Sequence, residues 1–322
     1  AHPYFARVPP SDALQAPAMV AVARHFDWTR TCIIYQDDTY GTNGALATRI
    51  AATRDGGVVL SMEGYDAESK DASAAITRAK ASGCRIFLHW CVECHLSMGY
   101  AHNASVLDGG NYVWILSDGC GDAIAAPDVW AHRGGTSSYQ AAMVGTLCLN
   151  PSAPPGAGRA ELLNRWTAAG RTDTPSPYSV YAHDAMLLAA HAVAAVPASI
   201  PQPFRLFDNQ SCVPDADDAS APSAWAYGSD VADAMKATSF VGATSGSGVV
   251  SFYDSLERAN VSYSLYNFQS NIETISNDDG RYQMVARVSV EYGADPSQPT
   301  ARVDPIAPVM WRANEAFGSK VP

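Results

Sequence analysis

Five residues, Cys91-Val92-Glu93-Cys94-His95, carry the densest chemistry in this 322-residue chain. The C-x-x-C-H spacing is that of a haem attachment, with Met98 near enough to serve as an axial ligand. Zinc could instead draw on Cys91, Cys94, His95 and His102, but a second ligand pair at finger spacing is missing. No pattern of a haem-enclosing helical pocket surrounds the motif. A disulfide is therefore the preferred reading, and no cofactor or metal is expected. Either Cys91 or Cys94 can bond Cys120, and sequence alone does not fix the connectivity. Cys32 and Cys84 fall inside apolar runs and read as small buried hydrophobes. The chain contains no Gly-x-Ser-x-Gly elbow. Its glycine-rich stretch, Gly242-Ala243-Thr244-Ser245-Gly246-Ser247-Gly248, follows a helical pattern and precedes a strand pattern, the wrong order for a phosphate cradle. Eight His are scattered without forming a Ser/His/Asp set, so no enzyme activity is expected.

A second group of reactive side chains lies in loops. Asp37-Asp38-Thr39-Tyr40-Gly41, Glu63-Gly64-Tyr65-Asp66, Cys91-Val92-Glu93-Cys94 and Ser117-Asp118-Gly119 each follow a strand-like run. Together they make an acidic, aromatic rim without arginine or lysine to hold an anion. Carboxylates beside an aromatic ring suit an ammonium group, so the rim points to a cationic or zwitterionic small molecule. Glu63, Tyr65 and Asp66 are expected to be solvated loop residues.

The elements that position these loops alternate. Helical spacing runs from Asp12, read as the N-cap, to Phe26, and again over 43–54, 71–82 and 94–107. Between them lie the strand-like runs 31–35, 58–62, 84–90 and 112–116. Such alternation predicts an α/β fold, a parallel sheet covered by helices on both faces, with ligands held beyond the carboxyl ends of its strands. Farther on, 143–149 reads as a strand, and 158–169, 178–196 and 224–238 as helices. Residues 197–222 read as a long loop. The pieces 248–252, 261–268, 283–291 and 306–311 are β-patterned.

Hydrophobic residues make up 47% of the chain, enough to bury a large core over roughly two domains. A net charge of −11 with 21 Lys+Arg argues against a nucleic-acid partner. The longest near-apolar run, 185–196, is too short to span a bilayer. The first residue is Ala1 rather than Met, and no signal peptide is recognisable, so the chain reads as processed or partial. Seven cysteines and three sequons, at Asn103, Asn209 and Asn260, favour an extracellular or cell-surface setting reached through the secretory pathway. The odd cysteine count leaves at least one thiol unpaired within the chain.

Several stretches resemble one family in order. They are Phe5-Ala6-Arg7-Val8-Pro9-Pro10-Ser11-Asp12-Ala13-Leu14-Gln15-Ala16, Phe26-Asp27-Trp28-Thr29, Tyr40-Gly41, Ser117-Asp118-Gly119 and Gly145-Thr146-Leu147. Tyr181-Ala182-His183-Asp184-Ala185, the hairpin from Phe240 through Phe252 to Gln269, and Trp311 follow. They are similar to the extracellular ligand-binding domain of class C and natriuretic-type receptors, of the type I periplasmic-binding-protein superfamily. The resemblance implies a bilobed Venus-flytrap of two doubly wound α/β lobes, joined by three crossing strands and closing on a ligand in the cleft. It assigns residues 1–175 to the second lobe with the first crossing, 176–244 to the C-terminal part of the first lobe, and 245–322 to the third crossing and the return. In amino-acid-binding members the positions of Asp12, Tyr40 and Asp118 face the ligand's α-ammonium group, which makes an amino acid or amine the expected ligand. Where the family has a tryptophan after Ser-Asp-Gly, this chain has Cys120.

The family normally carries about one hundred residues or more before this point, a domain's worth. The first lobe is thus expected to be incomplete here. The apolar face with Met186, Leu187, Leu188 and Val193 is expected to be covered by an upstream segment or another chain, in a homo- or hetero-oligomer. The rival expectation is an assembly module that reuses the fold without binding a small molecule, its partner being a protein.

Overall fold

The computed structural model of the chain describes residues 5–107, 111–120, 143–196, 228–269, 282–292 and 299–309. Contacts divide the chain into two units. One is Ala1–Pro9 with Ala153–Ala259; the other is Pro10–Ser152 with Asn260–Pro322. The chain therefore passes between units three times, at 9/10, 152/153 and 259/260. The second division precedes the expected boundary near 175, and the third follows the one expected near 244. The early boundary has a physical cause: Leu162 of the helix after Ser152 is buried with Val180 and Ala243, all in the first-named unit.

The unit containing Pro10–Ser152 is built on an eight-stranded sheet, ordered β2-β1-β3-β4-β5-β6-β7-β8. Its strands are β1 (Arg30–Asp37), β2 (Val58–Asp66), β3 (Ile86–Trp90), β4 (Val113–Leu116), β5 (Leu147–Pro151), β6 (Val261–Phe268), β7 (Tyr282–Glu291) and β8 (Thr300–Pro305). β2, β1, β3, β4 and β5 are parallel, and β5 through β8 are antiparallel. In this 2-1-3-4-5 order the winding reverses between β1 and β3, where doubly wound sheets open a crevice for ligands. Helices α1 (Asp12–His25) and α2 (Thr39–Arg54) pack one face with Ile33, Leu88, Ile115, Leu147 and Leu149. Helices α3 (Ser73–Ala81) and α4 (Cys94–Asn103) cover the other with Ile34, Phe87, Trp114, Leu116 and Cys148. Alternating strand residues thus feed two separate cores, which is why these strands read as continuous apolar runs.

Among the described residues the last strand is β8 over Thr300–Pro305; of the expected 306–311, residues 306–309 are not in a strand. Ala301 and Val303 pack on the core while Arg302 and Asp304 pair outside, the period-two pattern of an edge strand. Trp311 lies outside the described residues.

The other unit holds α5 (Ala157–Ala168), α6 (Pro177–Ala195) and α7 (Gly228–Ala237), with isolated bridges Arg7–Glu257, Phe240–Val250 and Phe252–Arg258. Its core gathers Val8, Tyr181, Leu188, Phe240 and Val250. On α6, Met186 and Tyr178 are exposed, at 72% and 53%.

Candidate functional site

Register aligns the carboxyl ends of the central strands. Tyr35 of β1 pairs with Trp90 of β3, and His89 of β3 pairs with Leu116 of β4. The segments that follow, from Asp38, Cys91 and Ser117, leave the sheet along one edge.

After β1, Asp38 caps α2, its carboxylate accepting from the Gly41 amide at 2.7 Å, and Tyr40 sits in the first helical turn. Glycine is required at 41, since a Cβ there would lie 2.0 Å from the Gln36 carbonyl oxygen. The Tyr40 ring meets the buried Trp90 edge-on, centroids 5.4 Å apart. Trp90 donates from Nε1 to Thr48 Oγ1 at 2.8 Å, which fixes the platform under the phenol. After β4, Ser117 begins the turn Asp118–Cys120. The Tyr40 hydroxyl donates to Oδ1 of Asp118. Burial, then the charge of Asp118 and the bond to it, hold the Tyr40 phenol well above its ordinary pKa; a hydrogen bond with Ser117 opposes this, and the charge of Asp12 adds to it. The phenol is therefore protonated at neutral pH and is the donor.

Asp12 reaches the same place from far along the chain. It is the first residue of α1, one past the N-cap position held by Ser11, whose side chain makes no capping bond, so Asp12 is not the expected N-cap. An ionised acid in a first helical turn is favoured by the helix dipole. Two buried bonds place this end of α1: Gln15 Nε2 donates to the Leu149 carbonyl at 3.1 Å, and the Tyr263 hydroxyl to the Ser11 carbonyl at 3.4 Å. Asp12, Tyr40 and Asp118 are each half-buried. Two carboxylates and one phenol thus share one electrostatic neighbourhood in a single unit.

The disulfides correct the sequence reading. Cys120 bonds Cys148, not Cys91 or Cys94, which bond each other. Cys148 lies in β5, paired in register with Leu116 at the end of β4, and so stands beneath the Asp118 turn. The cysteine that replaces the family's tryptophan therefore ties this turn to the sheet. Cys32 and Cys84, read as free hydrophobes, also form a bond. With their sulfurs joined, Cys91 and Cys94 offer no thiolate for haem or zinc. Cys212 lies outside the described residues. No group of three or more His, Cys, Asp or Glu is placed to hold a metal ion among the described residues.

Other expectations shift as well. β2 runs through Asp66, so Tyr65 is buried, its hydroxyl 3.2 Å from His89 Nε2. Glu63 pairs with Arg78 at 2.5 Å. Neither belongs to a solvated loop. Asn103 and Asn260 are exposed, and Asn209 lies outside the described residues. Two contributors escaped the sequence reading: Trp90 and Gln36, which bridges Asp38 (Nε2 to Oδ2, 2.7 Å) and the Val92 amide (3.4 Å to Oε1). Each lies at the carboxyl end of a strand that flanks the reversal of winding, the one signal that could have found them.

A doubly wound sheet with polar groups beyond the carboxyl ends of its strands is an arrangement that can hold a small molecule. The chain belongs to the receptor family ligand binding region, which matches residues 1–271. It is 43% identical over 60 residues to the probable metabotropic glutamate receptor mgl-1 of Caenorhabditis elegans, covering 19% of this chain and 6% of that protein. It is 25% identical over 137 residues to metabotropic glutamate receptor-like protein E of Dictyostelium discoideum, covering 39% and 17%. The matches thus span a small part of either relative's length. No described helix is long and apolar enough to cross a membrane.

Proposed function

We propose that this chain forms the extracellular ligand-binding part of a cell-surface receptor, and that Asp12, Tyr40 and Asp118 receive the ammonium group of an amino acid or similar amine. The observation that supports this most is the Tyr40–Asp118 hydrogen bond inside the field of Asp12. An ammonium group has three donors and one positive charge. Two carboxylates answer the charge, and the phenol oxygen, whose own proton goes to Asp118, keeps lone pairs to accept. Each charge-assisted bond contributes about 1.5–3 kcal/mol, and a ring face adds about 0.5–2 kcal/mol once water is excluded. The names of the relatives make glutamate the first ligand to try.

Calorimetry of the chain against a panel of amino acids and simple amines tests the reading. Binding that disappears in Asp118→Asn while folding is retained supports it; silence across the panel rejects it. The apolar exposure at Met186 and Tyr178 favours a second reading, a protein-binding assembly module, which predicts that silence. Secretory placement carries its own check. Peptide-N-glycosidase treatment of the secreted chain should lower the mass of peptides containing Asn103 and Asn260.

A further inference from the structure

We propose that the Cys91–Cys94 bond is a redox-active site, opened by a dithiol, whose state is transmitted to the turn carrying Asp118. The inference does not depend on which ligand the receptor binds, because it rests on the two sulfurs and the backbone around them.

Burial does not distinguish the three disulfides, since all six cysteines are 0–2% exposed. Loop size does. The Cys91–Cys94 bond spans 3 residues, against 28 for Cys120–Cys148 and 52 for Cys32–Cys84. A bond that closes so short a loop constrains the unfolded chain least, so the fold survives its opening best. Cys94 is also the first residue of the ten-residue α4, where the helix dipole stabilises a thiolate, whereas neither Cys32 nor Cys84 begins a helix. Acceptors for the reduced pair are already in place: Cys94 Sγ lies 3.3 Å from the Cys91 carbonyl oxygen and Cys91 Sγ 3.8 Å from that of His89. Reduction would therefore leave no buried donor without a partner.

In the reaction a thiolate of the dithiol attacks Cys91 Sγ, forming a mixed disulfide and expelling Cys94 as the thiolate. The second thiol of the reagent then displaces Cys91. The dithiol loses two electrons and becomes its own disulfide, and its two protons end on Cys91 and Cys94.

Transmission follows from Cys91 itself. Its amide donates to Ser117 Oγ at 3.2 Å, and its carbonyl oxygen accepts from the Ser117 hydroxyl at 3.4 Å. That carbonyl also abuts Gly119, where a Cβ would stand 1.8 Å from the oxygen. A new Cys94 S–H bond to the same oxygen competes with Ser117. Ser117 in turn touches Tyr40 and precedes Asp118.

The full oxidised chain is titrated with dithiothreitol under native conditions, followed by differential alkylation and peptide mass analysis. Cys91–Cys94 should open at a reagent concentration about tenfold below the other two pairs, a gap of about 30 mV. At that point amide exchange at Cys91 and across 117–120 should rise about threefold or more, with 147–151 unchanged. The variant Cys91→Ser/Cys94→Ser should show the same exchange pattern without reductant; should it fail to fold, the titration of the native chain decides alone. Simultaneous opening of the three bonds, or Cys91–Cys94 opening last, overturns the proposal. So does selective opening that leaves exchange at 117–120 unchanged.

Discussion

Asp184 and Asp118 are carboxylates of the region matched by the receptor family, one in each unit. Their surroundings differ. Asp184 is fully buried on α6, and its own chain saturates it. It accepts from the Ala243 amide at 2.7 Å, the Thr244 amide at 2.8 Å and the Thr244 hydroxyl at 2.6 Å, and lies 3.1 Å from His183 Nδ1. Thr244 relays this charge to the buried Arg258, which donates to its hydroxyl and, at 2.9 Å, to its carbonyl. Glycine at 242 lets the loop come so close, since a Cβ there would lie 2.5 Å from Asp184 Oδ2. Asp118 is half-buried at the rim of a sheet and receives a phenol. A carboxylate filled by its own protein holds the fold; one left partly open to solvent can still take a ligand.

Exchanging the two acids for neutral residues should separate the roles most sharply. Asp184→Ala leaves three buried donors, at Ala243 and Thr244, without their acceptor and removes the negative charge near the buried Arg258, and should cost roughly 3–5 kcal/mol in urea denaturation. A loss below about 1 kcal/mol would mean that the loop from Gly242 is held by something else. Asp118→Asn should behave in the opposite way. Its stability should stay within about 0.5 kcal/mol of the parent. Affinity for an amine found in the panel should fall by about 1.5–3 kcal/mol, roughly 10- to 150-fold, read by calorimetry. Equal affinities would remove Asp118 from the site.

A neighbour of the open site provides a pH test that the saturated one lacks. His89 is fully buried behind the rim, and burial pushes its pKa down to about 3. Nε2 has hydroxyl partners in Tyr65 and Ser97, at 3.2 and 3.3 Å, while Nδ1 has none among the described residues. In the unfolded chain an imidazole titrates near 6.5. Between that value and about 3 the unfolded state binds the proton and the folded state does not, so stability is intact above pH 6.5 and declines as pH falls. The slope approaches about 1.4 kcal/mol per pH unit, or roughly 2 kcal/mol between pH 7 and 5. His89→Leu should abolish this component of the acid loss in denaturation curves taken at both pH values. An unchanged slope would show that the loss arises elsewhere.

How much of this could be read without coordinates depended on the range of the interaction. The alternation of helices and strands over residues 12–116 is a local signal, and α1, α2 and β1 through β4 follow it closely. Tyr40 and Asp118 were visible as loop residues beyond strand ends. Their meeting was legible through the family's ordered motifs, not through spacing, since 78 positions separate them. Cysteine pairing was not legible. The bond from Cys120 to Cys148 depends on β4 and β5 being neighbours, a long-range fact, and Cys32 and Cys84 looked apolar because they are buried. Tyr65 was misread for a related reason: β2 extends beyond its apolar core residues through Glu63 and Gly64, where composition suggests a loop but pairing with β1 continues to Asp37–Asp66.

The smallest effect is reserved for the phenol, and it probes how the open acid is held. Tyr40→Phe keeps the ring against Trp90 and removes only the hydroxyl that Asp118 accepts from. In the absence of ligand the loss should be about 0.5–1.5 kcal/mol, because Asp118 is half-exposed and water can replace the donor. With an amine bound, the hydroxyl both steadies the carboxylate and offers a lone pair, so affinity should drop by a similar amount, about 2- to 13-fold. The parent chain should also show a second signature. A cation that keeps its charge at alkaline pH favours the phenolate beside it, so binding of a quaternary ammonium should lower the raised Tyr40 pKa, visible as an earlier rise in tyrosinate absorbance. A quaternary ammonium that binds without moving that titration sits away from the three residues, and the contrast between the filled and the open acid would then be about exposure alone.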